Sequence, residues 1–229
     1  MYVDTKSSGN CVCVVAKPSM TALEMTQKVM QEKGLGPDCG LVLHEAILGG
    51  ALQRPIHYSE LVLDVALKWG SWCEEDRRDN YLLLKKNILY EEAIHQTSST
   101  FSVFGEAFFA DLKMKSFKKV NLSMSNARLT LSKNEDIEIA SYPIEDLAWY
   151  LGCEAKRHSP HSLNMTFIHP KQESVVRCKD RPFFGRTISF ESRDFYIKWI
   201  AAMLVAEFAN DLKPNIPNSS RDENLVLLD

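Results

Sequence analysis

Lys113, Lys115, Lys118 and Lys119 place four positive charges within seven residues, with no acid among them. Ammonium groups so spaced attract phosphate or an anionic lipid surface, and each contributes about 1 kcal/mol close to such a surface. A more dispersed set, Lys6, Lys17, Lys28 and Lys33, borders a β-branched run and the helical pattern that follows it. Lysines around a strand edge steer an acidic protein partner and raise its on-rate more than its affinity. Glu24 and Glu32 share the helical stretch with Lys28 and dilute that field. The cluster Arg177, Lys179, Arg181 and Arg186 is interrupted by Asp180 and reads as a solvated loop.

Other chemistry does not assemble. Cys11 and Cys13 project from one strand face, but no second CxxC or HxxxH supplies the further ligands of a zinc site. GLGPDCG (34–40) follows a helix rather than a strand and lacks the Lys-Ser/Thr of a phosphate loop. Glu74, Glu75, Asp76 and Asp79 lack calcium-loop spacing, and Arg77 and Arg78 intervene. His44-Glu45 and the pair His158 and His161 form no nucleophile–base–orienter set. His44 and Glu45 therefore read as surface or satisfied core residues. The chain reads as a binding protein, not an enzyme, with no cofactor and no metal.

Length and composition agree. A chain of 229 residues, 45% hydrophobic and 25% charged, can bury one large core or two ordinary ones. Residues 1–96 hold 10 Lys and Arg against 13 Asp and Glu, and the remainder is balanced at 17 against 17. Neither half carries the positive excess of a nucleic-acid binder. The six cysteines match no disulfide framework, no apolar run is long enough to span a bilayer, and the N-terminus lacks a secretory pattern. The expected location is the cytoplasm.

The elements that position these residues fall in two blocks. In the first, Cys11–Lys17 reads as a strand paired with Met1–Lys6. Thr21 and Glu24 form a capping box, Ala22, Met25 and Val29 face a core, and Gly34 stops the helix. Leu41–Leu48 is a strand, Gly49-Gly50 a two-residue hairpin turn, Leu52–Arg54 the return, and Pro55 its end. Val62, Val65, Ala66 and Trp69 give a helical stripe, and Tyr81–Leu84 reads as a central strand. The second block offers strands over 105–113, 117–124, 127–132, 137–141, 147–153, 163–169, 174–178 and 186–190. A helix over 193–208 follows, with Ser192 as N-cap and Trp199 as anchor. The boundaries read as 1–96, 97–212 and a disordered tail, 213–229. The fold class is α+β: a ubiquitin-like β-grasp followed by a β-barrel capped by a helix.

The first block resembles a Ras-association (RA) domain through VVAKPSMTALEMTQKVMQEKG and LHEAILGGALQRPIHYSELVLDVALKW. The second resembles a pleckstrin-homology (PH) domain through SFKKVNLSMSNARLTLSKNEDIEIASYPIEDLAWYLG and the terminal helix with Trp199. The pair in this order is similar to the RA–PH tandem of the ARAP family, whose members also carry Arf-GAP, Rho-GAP and ankyrin-repeat domains. The resemblance covers about residues 1–212.

It implies a non-catalytic signalling module that binds a GTP-loaded Ras-family GTPase, Rap first, through Lys17 and Lys28, with Lys6 and Lys33 outside them. The GAP activities of that family would reside in domains this chain lacks. The PH-like domain would orient the module or hold it near the plasma membrane, with Lys113, Lys115, Lys118 and Lys119 as lipid-facing residues. Lipid-binding PH domains carry K-x-R in the second strand, whereas here Val120 stands in the Arg position, and the loop before Lys118 reads as short. The alternative is a phosphoinositide or anionic-membrane module in which the RA-like domain is structural.

Overall fold

The structure, a computed structural model, describes residues 2–4, 11–36, 40–70, 72, 74, 78–86, 88–96, 102–133, 137–169 and 182–208. Lys6, the strand expected at 174–178, Arg177, Lys179, Arg181 and the tail 213–229 lie outside the described residues.

The first unit is built from β1 (Tyr2–Asp4), β2 (Cys11–Cys13), α1 (Ala22–Glu32), β3 (Leu41–Ile47), β4 (Leu52–Pro55), α2 (Val62–Trp69) and β5 (Tyr81–Lys86). β1 and β2 pair antiparallel, β1 and β5 pair parallel, and β5 and β3 pair antiparallel. The resulting order, β2-β1-β5-β3-β4, makes β5 central. That position explains the run Leu82, Leu83, Leu84, which is buried on both faces. α1 starts on the expected capping box: the Thr21 hydroxyl accepts from the Glu24 N–H at 3.2 Å, and the Glu24 carboxylate accepts from the Thr21 N–H at 2.8 Å. Ala22, Met25 and Val29 of α1 meet Leu43, Val62, Val65 and Leu84 in one core. This is the ubiquitin-like β-grasp.

Two local expectations change. β2 ends at Cys13, not Lys17: Val14 and Val15 still alternate inward and outward, but the ladder to β1 stops at Cys13 opposite Tyr2, and Met20 N–H closes a turn on the Lys17 carbonyl. The β3–β4 turn spans four residues, since Ile47 pairs directly with Leu52. Leu48, Gly49 and Gly50 all have positive φ (51°, 67° and 84°). Side-chain and backbone anchors hold that turn: Leu48 N–H donates to Asn80 Oδ1, and Gly49 N–H donates to the Asp79 carbonyl.

The second unit is a barrel of β6 (Val103–Ala110), β7 (Lys118–Ser125), β8 (Arg128–Ser132), β9 (Glu138–Pro143), β10 (Ala148–Gly152), β11 (Leu163–Ile168) and β12 (Arg186–Phe190). A 3-10 turn (Ile144–Asp146) separates β9 from β10. β12 pairs with β6 and links the two runs of strands. The long helix, here named α4 (Arg193–Phe208), opens on Ser192, whose hydroxyl accepts from the Phe195 N–H. α4 buries Trp199 completely against Phe190 in the barrel core. A helix that the sequence pattern does not show, α3 (Ile88–Gln96), precedes β6 and puts Ala93 into the barrel's core.

The two units share a sheet. β4 pairs antiparallel with β10, Gln53 opposite Leu151 and Leu52 opposite Gly152, so the twelve strands of the described residues form one continuous order from β2 to β9. Gly152 makes this seam possible. Its φ is 115°, and a Cβ there would lie 2.2 Å from the Ala51 carbonyl oxygen.

Candidate functional site

Three surfaces concentrate polar chemistry. The first is the β2 end of the sheet. β2 has β1 as its neighbour and is the terminal strand of the sheet formed by the described residues. Directly after it, Val15 is 76% exposed and Lys17 is exposed. Lys28 lies half-buried on the flank of α1, between Glu24 and Glu32 one turn away on either side. Glu24 is turned back onto the helix start by the capping box, which withdraws part of its charge from Lys28. Lys33 is the C-cap residue of α1 and half-buried. No contact joins Lys17, Lys28 and Lys33 among the described residues; they line connected elements.

The second surface is the loop end of the barrel. The β6–β7 loop is longer than expected, since β6 ends at Ala110 and β7 begins at Lys118. Lys113 and Lys115 come together there with Lys156, His158, Pro182 and Phe183 around an open hollow of about 470 Å³. Lys118 and Lys119 point to opposite sides of β7, where Lys119 pairs with Glu106 at 2.8 Å and both side chains are well exposed. Neither lines the hollow.

Buried Arg157 fixes the walls of this hollow. Its guanidinium donates to the carbonyls of Ala110 (2.8 Å), Asp111 (3.1 Å) and Gly185 (2.6 Å) and lies 4.1 Å over the Phe183 ring. One side chain thereby ties three loops together. Lys156, beside Arg157, stands far from the 113–119 run in sequence and joins it only through the fold.

The third surface is the cleft where the two units meet. Buried Glu45 accepts from Arg54 Nε at 2.6 Å and from Trp69 Nε1 at 2.6 Å. Glu60 receives Arg54 bidentately, at 2.8 and 2.9 Å. Burial alone would raise the Glu60 carboxyl, but the guanidinium overcomes it and holds the group below the usual carboxylate range. Across the seam, Tyr150 is buried beside these groups, and burial pushes its phenol up. His57 stacks on Phe208 of α4 at 4.8 Å. Trp149 Nε1 donates to Glu207 Oε2 at 2.7 Å, and burial raises that carboxyl from its ordinary value. Glu45 and Arg54 thus belong to a buried network that holds the junction, a role the isolated His44-Glu45 dipeptide gives no sign of.

Among the described residues no group of three or more His, Cys, Asp or Glu could hold a metal, and no helix is long and apolar enough to cross a membrane.

A β-grasp with two helices and a helix-capped barrel give the chain the fold of an RA–PH tandem. The chain superposes on the coiled-coil, RA and PH domains of Lamellipodin with a TM-score of 0.71, over 93% of this chain and 88% of that one, at 13% identity. In sequence it is similar to the mouse Arf-GAP with Rho-GAP domain, ANK repeat and PH domain-containing protein 2, 24% identical over 226 residues and 93% of the chain. It is also similar to the human protein 3 of that name, 25% identical over 190 residues and 79% of the chain. The chain is thus similar in sequence to a stretch of these proteins and spans about 12% of their length. No family model matches the chain.

Proposed function

We propose that this tandem is a recognition module that binds a GTP-loaded Ras-family GTPase, Rap in the first instance, by strand addition at β2. Lys17, which follows that edge, Lys28 on α1, Lys33 at its C-cap and Lys6, outside the described residues, are the residues proposed to meet the acidic surface of the partner. The observation that supports this most is the asymmetry of the first sheet. Its β4 edge is taken by β10, while β2 ends the sheet and is followed by outward-facing Val15 and Lys17. A terminal strand presents backbone N–H and C=O groups to a partner strand.

Titrating the chain with Rap in its GTP-analogue and GDP forms tests the reading. Selective binding of the GTP form, weakened by Lys17→Glu or Lys28→Glu mainly through k_on and strongly dependent on salt, is the expected result. Equal or absent binding to both forms sinks it.

The barrel is proposed to face an anionic membrane with its loop end. Lys113, Lys115 and Lys156 supply the charge, and Arg157 holds the loops that carry them. If headgroup-selective vesicle binding is found without GTPase binding, the membrane reading stands alone and the first unit is its structural companion.

A further inference from the structure

The cleft at the junction encloses about 570 Å³, within the range of small-molecule sites. Half of its apolar lining residues are aromatic: Trp72 and Phe208 stand with Trp149 and Tyr150 from β10. Its charged groups come from the first unit and from α4: Glu45 on β3, Arg54 on β4, Glu60 before α2, Lys68 on α2 and Glu207 on α4. Three carboxyl groups therefore face two cations.

Most of this charge is already committed. Arg54 spends its Nε and both terminal nitrogens on Glu45 and Glu60, and Glu45 spends its second oxygen on Trp69. Glu207 differs: Oε2 accepts from Trp149, while Oε1 takes no hydrogen bond among the described residues. An open carboxylate oxygen beside indole and phenyl groups selects a positive charge, because ring faces and carboxylate both attract it.

We propose that this cleft binds a small organic cation, one ammonium or guanidinium group on an apolar body. Its charge pairs with Glu207, and its body lies between the aromatic walls contributed by the two units. The site is independent of the β2 edge, so its failure or success leaves the GTPase reading untouched. Binding also couples to protons. Burial lifts the free Glu207 carboxyl, so a bound cation favours its ionised form, and affinity rises with pH through the range in which Glu207 loses its proton.

The full chain, labelled with ¹⁵N, is titrated with 2-phenylethylamine, and separately with neutral 2-phenylethanol and anionic 3-phenylpropanoate. The indole N–H signals of Trp149 and Trp72 are followed. The amine is expected to shift both saturably and to bind about tenfold more tightly than the alcohol, with no saturable shift from the acid. Glu207→Gln keeps an acceptor for the Trp149 N–H and should lower amine affinity to the level of the alcohol. Equal affinities of amine and alcohol for the unaltered chain overturn the proposal, and that comparison needs no variant to fold. Unchanged amine binding in Glu207→Gln, or no saturable shift with any probe, overturns it as well.

Discussion

Gly152→Ala probes the junction at its tightest point. The substituted residue would have to hold φ at 115°, a conformation that costs an L residue about 1–3 kcal/mol. Its Cβ would also sit 2.2 Å from the Ala51 carbonyl oxygen, backbone against backbone, so β4 and β10 must separate locally. The ladder there joins Gln53 to Leu151 and Leu52 to Gly152, and each backbone hydrogen bond lost costs about 1 kcal/mol.

Together these give a destabilisation of about 3–5 kcal/mol, or roughly 10 °C in Tm for a chain of 229 residues that melts as one. Gly49→Ala is the control: its φ is 67°, but nothing lies within 4 Å of the added Cβ, so only about 1 kcal/mol is expected. Thermal melts should rank the two variants. Hydrogen exchange should quicken at Leu52 and Gln53 in Gly152→Ala and stay unchanged in the central strand β5. If Gly152→Ala melts within a degree of the parent and keeps full protection in β4, the seam does not bear the load assigned to it.

Other outcomes follow from the same geometry. Arg54→Met leaves Glu45 and Glu60 without their partner and should cost about 3–5 kcal/mol by urea denaturation; a loss under 1 kcal/mol would contradict the network. Burial, with the nearby Lys85 charge, holds His44 down to about 3, so the folded chain keeps it neutral where the unfolded chain protonates it. Stability should thus be complete above pH 6.5 and fall by about 1.4 kcal/mol per unit as pH drops toward 3, a slope that His44→Leu should remove from the acid limb. Co-sedimentation with phosphatidylserine vesicles should weaken more for Lys156→Glu than for Lys119→Glu, since Lys119 is paired with Glu106; equal losses would refute the loop-end geometry.

Local signals were legible where the physics is local. The Thr21–Glu24 box, the buried stripe of α1, the central run of β5 and the Ser192 cap each need only a few neighbouring residues to declare themselves. Trp199 was legible as well, because a lone helix after a series of strands has one place to bury a large ring, although burial runs almost all round α4 from Tyr196 to Val205 rather than along one stripe. The junction was not. β4 and β10 are separated by about a hundred residues, and nothing in Leu52–Pro55 distinguishes a strand with one neighbour from a strand with two. Helix α3 escaped because its apolar residues do not gather on one face. The basic hollow was half visible: Lys113 and Lys115 stood out, but Lys156 and His158 join them only through the folding of the loop after β10.

The shared sheet also sets a timetable. Gln53 leaves the ribosome 98 residues before Leu151, the partner it pairs with across the seam. At a synthesis rate of about 5–20 residues per second, β4 waits roughly 5–20 s with one side of its backbone unpaired. During that interval the nascent first unit carries sticky edges at both ends of its sheet. Pro55, at the end of β4, is the kind of residue that blunts an exposed strand, whereas the Arg54 charge is already taken up by Glu45 and Glu60.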